Sequence, residues 1–255
     1  MLSIAERHKF ILDNLYKNGF VSITDIADAL KVSKVTIRKD IKDLEAKGIL
    51  YKLHGCAKPV DPHVPDIELN IKENIKREEK RRIAQKAVEL VNPSDSLIIA
   101  SGSTIYAFAE ELRHKTREHL NIVTPFLRLG SLFNGADNVS IMQLGGMIHM
   151  KSQSVRGEYA SDELEGVLCS KVFIGVDGID PDFGVTTSSV EEALLTKRMM
   201  NASSRTIVLS DSSKFGRRGF GRICGIEDID VIITDSGISE QMVELLENSV
   251  DLIIV

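Results

Sequence analysis

The sequence predicts an α/β protein in which a small helical head precedes a larger domain built around a mainly parallel sheet. Three observations carry that prediction. Beyond residue 95, short unbroken apolar runs alternate with helix-like stretches. The first fifty residues hold three short helical patterns instead. Between the two lies "KPVDPHVPD", three prolines in nine residues without apolar periodicity, which is linker composition. The expected division is 1–58 for the head, 59–74 for the linker and the start of a connecting helix, and 75–255 for the body.

In the head, Ile4, Phe10, Ile11 and Leu15 recur at helical spacing from Ser3 to Lys17, and Gly19 closes the run. Ser22 can cap a second helix of about two turns, with Ile23, Ile26, Ala27 and Leu30 as its buried face. After the Lys31-Val32 turn, Ser33 caps a third helix that runs to Lys47 and stops at Gly48, with Ile37, Ile41 and Leu44 as its apolar stripe. Two helices joined by so tight a turn form a helix-turn-helix, whose second helix enters the major groove with its N-terminal residues on the bases.

That geometry explains the polar bunch at the start of the third helix. Arg38 offers a planar fork to guanine or phosphate, while Ser33, Lys34, Thr36 and Lys39 suit backbone phosphates. The charge distribution agrees: residues 1–60 carry 11 Lys and Arg against 7 Asp and Glu, whereas the whole chain has a net charge of −5. A basic head fits an anionic polymer. "GILYKLHGCAKP" then reads as two short strands about a turn, a wing that presents Lys52 and His54 to the DNA backbone. Ser22, Ser33, Lys34, Thr36, Arg38, Lys39, Lys52 and His54 are the candidate DNA-binding residues, and double-stranded operator DNA is the expected partner.

The run from Ser33 through Thr36, Arg38 and Lys39 to Ile41, with the wing from Tyr51 to Ala57, resembles the DeoR family of bacterial transcriptional regulators. That family's wing usually reads His-Gly-Gly-Ala, so Cys56 replaces a glycine here.

After the linker, "KREEKRR" flanked by Ile71, Ile75, Ile83, Ala84, Ala87 and Leu90 predicts one charged helix from Ile67 to Val91, its charges paired along a solvated face. The strands of the body are "LIIA", "NIVT", "VSIMQL", "KVFIGV", "TIVLS", "VIIT" and "DLIIV". Helix-like stretches between them include 106–113, 190–200 and 240–246.

The residues just past these strands point to a site. Ser101-Gly-Ser-Thr104, Thr124, Gly145-Gly146, Asp177-Gly178 and Asp211-Ser-Ser-Lys214 all stand at strand carboxyl ends, where open parallel sheets bind ligands. Ser101 to Thr104 opens a helix whose N–H groups and hydroxyls suit a phosphate, although an ordinary capped turn has the same composition. The basic loop "GRRGFGR", Gly216 to Arg222, fits a cover over a ligand, a subunit contact or a solvated loop equally well.

The body is also similar to the DeoR effector-sensing domain, itself of ribose-5-phosphate-isomerase-like fold, through Ser101 to Thr104, "VDGID", "SDSSKFGRRGF" and "GVTTSSVEEALLTKRMM". The resemblance implies a phosphorylated sugar or related metabolite as effector. Ser101, Gly102, Ser103 and Thr104 would hold its phosphate, and Asp177, Glu192, Lys197, Asp211 and Lys214 would border it. Ala100 stands where the family commonly has aspartate, and Pro125 where it has asparagine. Glu192 and Lys197 are alternatively a surface pair on one helix.

No run of about 18 apolar residues and no leader is written in the chain, which predicts a cytoplasmic protein. Cys56, Cys169 and Cys224 lack any Cys-x-x-Cys spacing and the histidines lack ligand spacing, so no disulfide framework, metal or cofactor is expected. A homodimer or higher oligomer is expected, because a helix-turn-helix reads paired half-sites. The leading reading is a sugar-metabolism repressor. A sugar-phosphate isomerase with an accessory DNA-binding domain, with Asp177, Asp211 or Glu192 as base, is the enzymatic alternative. A constitutive DNA-binding protein whose body only oligomerises is a third.

Overall fold

The computed structural model describes residues 3–18, 20–46, 50–53, 56–59, 68–115 and 119–255. The chain forms two compact units, 1–62 and 63–255. In the first, helix α1 (Ile4–Asn18) is followed by strand β1 (Val21–Ser22), helices α2 (Ile23–Leu30) and α3 (Lys34–Ala46), and strands β2 (Leu50–Leu53) and β3 (Cys56–Pro59). Ile11 and Leu15 of α1, Ile23, Ile26 and Ala27 of α2, and Ile37, Ile41 and Leu44 of α3 close on one core with Leu50 and Ala57. The wing hairpin pairs Leu53 with Cys56, and β1 adds a third antiparallel strand through Val21 and Ala57.

Caps set the helix-turn-helix. Ser22 is extended and its Oγ accepts from the Asp25 N–H at 3.3 Å. Lys31 takes a left-handed φ of 53°, so that the Val32 N–H reaches the Ala27 carbonyl at 3.0 Å and α2 ends within one residue. Ser33 Oγ accepts from the Thr36 N–H at 3.1 Å and starts α3. Gly19, Lys47, Gly48 and His54, and the Lys52 side chain, lie outside the described residues.

The second unit begins with α4 (Leu69–Asn74) and α5 (Arg77–Val88). The single helix expected over 67–91 is therefore broken. Lys76 adopts φ 52° between the two segments, and the Lys80 amine donates to the carbonyls of Lys72 and Ile75, at 2.6 and 2.7 Å, satisfying oxygens that a continuous helix would have used. Ile71 and Ile75, two of the apolar residues at helical spacing, are 53 % and 47 % exposed. The pairs Arg81–Glu78 and Lys86–Glu89 do lie on an exposed face, but Lys80 is only 4 % exposed.

The body continues through β4 (Ser96–Ile99), α6 (Ser103–Lys115), β5 (Leu120–Thr124), α7 (Leu127–Leu132), β6 (Val139–Gln143), β7 (Met147–His149), β8 (Ser154–Arg156), α8 (Glu158–Asp162) and β9 (Lys171–Gly175). It closes with β10 (Gly178–Asp180), β11 (Gly184–Thr187), α9 (Val190–Asn201), β12 (Thr206–Leu209), β13 (Gly221–Cys224), β14 (Val231–Thr234), α10 (Glu240–Leu246) and β15 (Asp251–Ile254). The seven apolar runs are the seven strands of one parallel sheet, ordered β15-β14-β12-β9-β4-β5-β6. Alternate residues face opposite layers: Leu97 and Ile99 pack with α5 and α6 through Ile83, Ala84 and Phe108, and Ile98 packs with α9 through Ala193 and Met199. Two smaller sheets, the hairpin β7-β8 and the antiparallel β10-β11-β13, attach at the carboxyl edge.

Candidate functional site

In the first unit, α3 turns Ile37, Ile41 and Leu44 inward and leaves Lys34, Val35, Arg38 and Lys39 exposed. Asp40, buried on the inner side, accepts two bonds from Arg7 of α1 at 2.7 and 2.8 Å, which fixes the rotation of α3 about its axis. Among the described residues no acid engages the Lys34, Arg38 or Lys39 side chains. Ser22 and Ser33 are occupied as caps, and Ser33 Oγ also lies 2.9 Å from Thr36 Oγ1. Val35 is 71 % exposed among these charges, an apolar residue that a search for polar ones overlooks.

In the second unit, strand register assembles the carboxyl edge. Ile99 pairs with Phe173, Gly175 with Leu209, and Leu209 with Ile233. Three carboxylates stand at one spacing, Asp177, Asp211 and Asp235, each two residues beyond the paired positions. Beside them, β4 leads into the Ser101–Thr104 turn, where Gly102 has φ 131° and so needs its missing side chain. The Tyr106 N–H reaches the Gly102 carbonyl at 2.8 Å, so the turn opens α6 directly and the helix's first N–H groups have no intrahelical acceptors. Thr104 is buried, whereas Ser101, Gly102 and Ser103 are half-buried.

Asp177 is the hub of the charged groups. It accepts from Lys72 Nζ at 2.7 Å and from Thr187 Oγ1 and the Ser188 N–H at 3.3 Å each, with Lys214 Nζ at 3.8 Å. Burial works against its charge, but Lys72 and Lys214 outweigh it and hold the carboxyl below the usual range. Burial pulls the Lys214 ammonium down, as do Lys72 and Arg217, against Asp177 and Asp211. Burial likewise pulls Lys80 down to about 8, with Asp211 opposing and Lys214 and Lys72 adding to the shift. Glu192, in the first turn of α9, pairs with Arg156 at 3.1 Å; burial and the Asp177 charge push its carboxyl up.

Several expected residues have structural duties. Asp211 caps the short turn that carries Lys214 by accepting from the Ser213 N–H and hydroxyl. Thr124 Oγ1 donates to the Ile99 carbonyl at 2.6 Å and accepts from the Phe126 N–H at 3.0 Å, tying β5 to β4. Gly145 donates to Glu163 at 2.6 Å, and Gly146, at φ 135°, lies against the Arg156 carbonyl. Lys197 is exposed and forms no ion pair with Asp177 or Glu192 among the described residues; Glu192 pairs with Arg156.

The "GRRGFGR" loop is pinned along β11. Arg218 binds Asp180 at 2.8 and 3.0 Å, Arg222 donates to the Phe183 carbonyl at 2.7 Å, and a Cβ on Gly219 would stand 2.3 Å from the Thr187 carbonyl oxygen. Four site-forming residues escape the reading of the sequence: Lys72, Lys76, Lys80 and Arg156. The first three sit in what reads as a solvated charged helix, and only the Lys76 kink brings them inward. Lys76 Nζ contacts Ser212 Oγ at 3.2 Å and lies 3.8 Å from Asp235.

The chain matches two family models, the DeoR-like helix-turn-helix domain over residues 7–63 and the DeoR C terminal sensor domain over residues 75–236. The chain belongs to the DeoR family. Among the DeoR-family relatives is a protein of Escherichia coli O157:H7, provisionally named an aga operon transcriptional repressor, 33 % identical over 96 % of this chain and 91 % of that one. The lactose phosphotransferase system repressor of Streptococcus mutans is 31 % identical over 90 % of this chain and 91 % of its own. Among solved structures, ribose 5 phosphate isomerase A from Neisseria gonorrhoeae is 23 % identical with a TM-score of 0.40, covering 53 % of this chain and 52 % of that one. A likeness that low says nothing of this DeoR-family chain's chemistry. No helix among the described residues is long and apolar enough to cross a membrane.

Proposed function

We propose that the protein is a cytoplasmic repressor of sugar-metabolism genes, reading operator DNA with α3 and released or engaged by a phosphorylated sugar bound at the carboxyl edge of its sheet. One observation carries the sensing half: a glycine-dependent helix-opening turn beside a carboxylate hub flanked by Lys72 and Lys214. A phosphate on Ser101–Thr104 would meet helix N–H groups and nearby ammonium groups together, while Asp177 and Glu192 suit sugar hydroxyls. The names of the sugar-operon repressors among its relatives support the same reading.

On the DNA, Arg38 would read a base edge or a phosphate, Lys34, Thr36 and Lys39 would set register, and Val35 would meet a thymine methyl. Lys52 and His54 of the wing would add backbone contacts. Paired half-sites call for a homodimer or larger assembly.

A thermal-shift screen tests the sensing half. A phosphorylated sugar at about 100 times its dissociation constant adds about 2.7 kcal/mol of stability, and its unphosphorylated parent adds none. Stabilisation by both alike, or sustained turnover of ribose 5-phosphate by the purified protein, would overturn the reading.

A further inference from the structure

Strand β6 ends the seven-stranded sheet, paired with β5 on one side and with no strand on the other. The Asn138 carbonyl accepts from the Leu120 N–H at 3.0 Å and the Leu144 N–H donates to the Thr124 carbonyl at 2.9 Å, so the even-numbered residues of β6 face β5. The N–H and carbonyl groups of Ile141 and Gln143 therefore point away from the sheet, and no backbone group among the described residues meets them. Val139 points the same way, but its N–H is already held by the Ala136 carbonyl at 3.2 Å. Such an edge is a template for a further strand, and proteins blunt it with charge, proline or a bulge. This one has none of the three. From Asn138 to Met150 the chain has no Asp, Glu, Lys, Arg or Pro, although 27 % of its residues are charged overall, and the β5-β6 register is unbroken. The strand at the opposite end of the sheet, β15, opens on the exposed Asp251. On β6 Met142 is 42 % exposed, and just beyond it Met147 and Ile148 are 79 % and 51 % exposed.

We propose that β6 pairs antiparallel with β6 of a second copy of this chain, continuing the sheet across a two-fold axis at Ile141. The outward groups set the register. Ile141 opposite Ile141 exchanges both backbone bonds, and each Gln143 N–H reaches the Val139 carbonyl opposite, while the Val139 N–H stays on Ala136. In that register Ser140 stands across from Met142, a pair without charge and therefore without repulsion. The occupant is a second copy because antiparallel pairing of a strand with itself closes on a two-fold, which is the symmetry that paired half-sites require of a helix-turn-helix protein. The inference rests on that operator reading for its two-fold and is independent of the effector site.

Sedimentation equilibrium of the full chain, with disulfide trapping, tests it. Met142→Lys sets like charges on both sides of the axis and should weaken self-association by about tenfold or more, whereas Leu168→Lys, at a residue 75 % exposed ahead of β9, should leave it unchanged. If Met142→Lys does not fold, Gln143→Pro replaces it, since it removes an outward N–H and no bond to β5. Ile141→Cys should oxidise to a covalent dimer that neither wild type nor Leu168→Cys forms, because directly opposed residues of a bonded antiparallel pair have Cα atoms about 5.5 Å apart, within disulfide reach. A folded Met142→Lys or Gln143→Pro that associates as tightly as wild type, or an Ile141→Cys that yields no covalent dimer, overturns the pairing through β6 and leaves the operator reading standing. A wild-type chain that sediments as a single copy at concentrations where it binds operator overturns the paired half-site reading, and this inference with it.

Discussion

Lys72 Nζ lies 2.7 Å from Asp177 Oδ1, joining the short helix α4 to the end of the central strand β9. Removing the carboxylate leaves Lys72 and Lys214 half-buried with like charges facing each other. Asp177→Asn should therefore lower stability by about 1–3 kcal/mol at pH 7. The native carboxyl is held below its ordinary value, so its contribution is present above the unfolded pKa and lost as pH falls through the folded one. Urea titrations at pH 7 and pH 3 should show the gap between wild type and variant closing at the lower pH; a constant gap would refute the ion-pair account.

Lys80 yields a dependence of the same sign at higher pH. Its pKa is pulled down to about 8 from 10.5, so between those values the unfolded chain binds more protons and stability rises with pH. Wild type should gain on Lys80→Met between pH 8 and pH 10.5, measured as the difference in unfolding free energy. A difference independent of pH would mean that the buried ammonium is not destabilised by its surroundings.

On the head, Arg38→Ala should weaken operator binding by about 1–3 kcal/mol and relax preference at one base position if the fork grips guanine. If it grips only phosphate, all sequences should weaken alike and the salt slope should fall by about one. Binding unchanged at moderate salt would remove α3 from its assigned role. Val35→Ser, which keeps the helix but removes the methyls, should cost less and only at positions occupied by thymine.

Legibility tracks the physics of each element. The central strands β4, β9, β12 and β14 are readable because they are buried on both faces and largely apolar, and the head because capping serines and apolar spacing agree. The rule that sites form at strand ends places the turn at Ser101–Thr104 and the carboxylate Asp177. Lys72, Lys76 and Lys80 are hidden because helical periodicity continues through Ile71, Ile75 and Ile83, and nothing local announces the left-handed Lys76. Its hold on Ser212 and Asp235 is tertiary. Arg156 is hidden for a similar reason: β8 has three residues, and its importance comes from Glu192, 36 positions away.

Above all, a phosphate seated on the first turn of α6 should control operator binding. Because Thr104 is buried and Ser103 half-buried, Ser103→Asp is the direct probe. An aspartate in the first turn suits the helix dipole, so the fold should hold, while its charge repels phosphate. Anisotropy titrations of labelled operator should show wild-type affinity changing by about 5–150-fold with a phosphorylated sugar and not with the parent sugar. Ser103→Asp should bind operator with the ligand-free affinity at every sugar phosphate concentration. A variant that folds and answers at the same concentration as wild type would contradict the account and place the phosphate elsewhere.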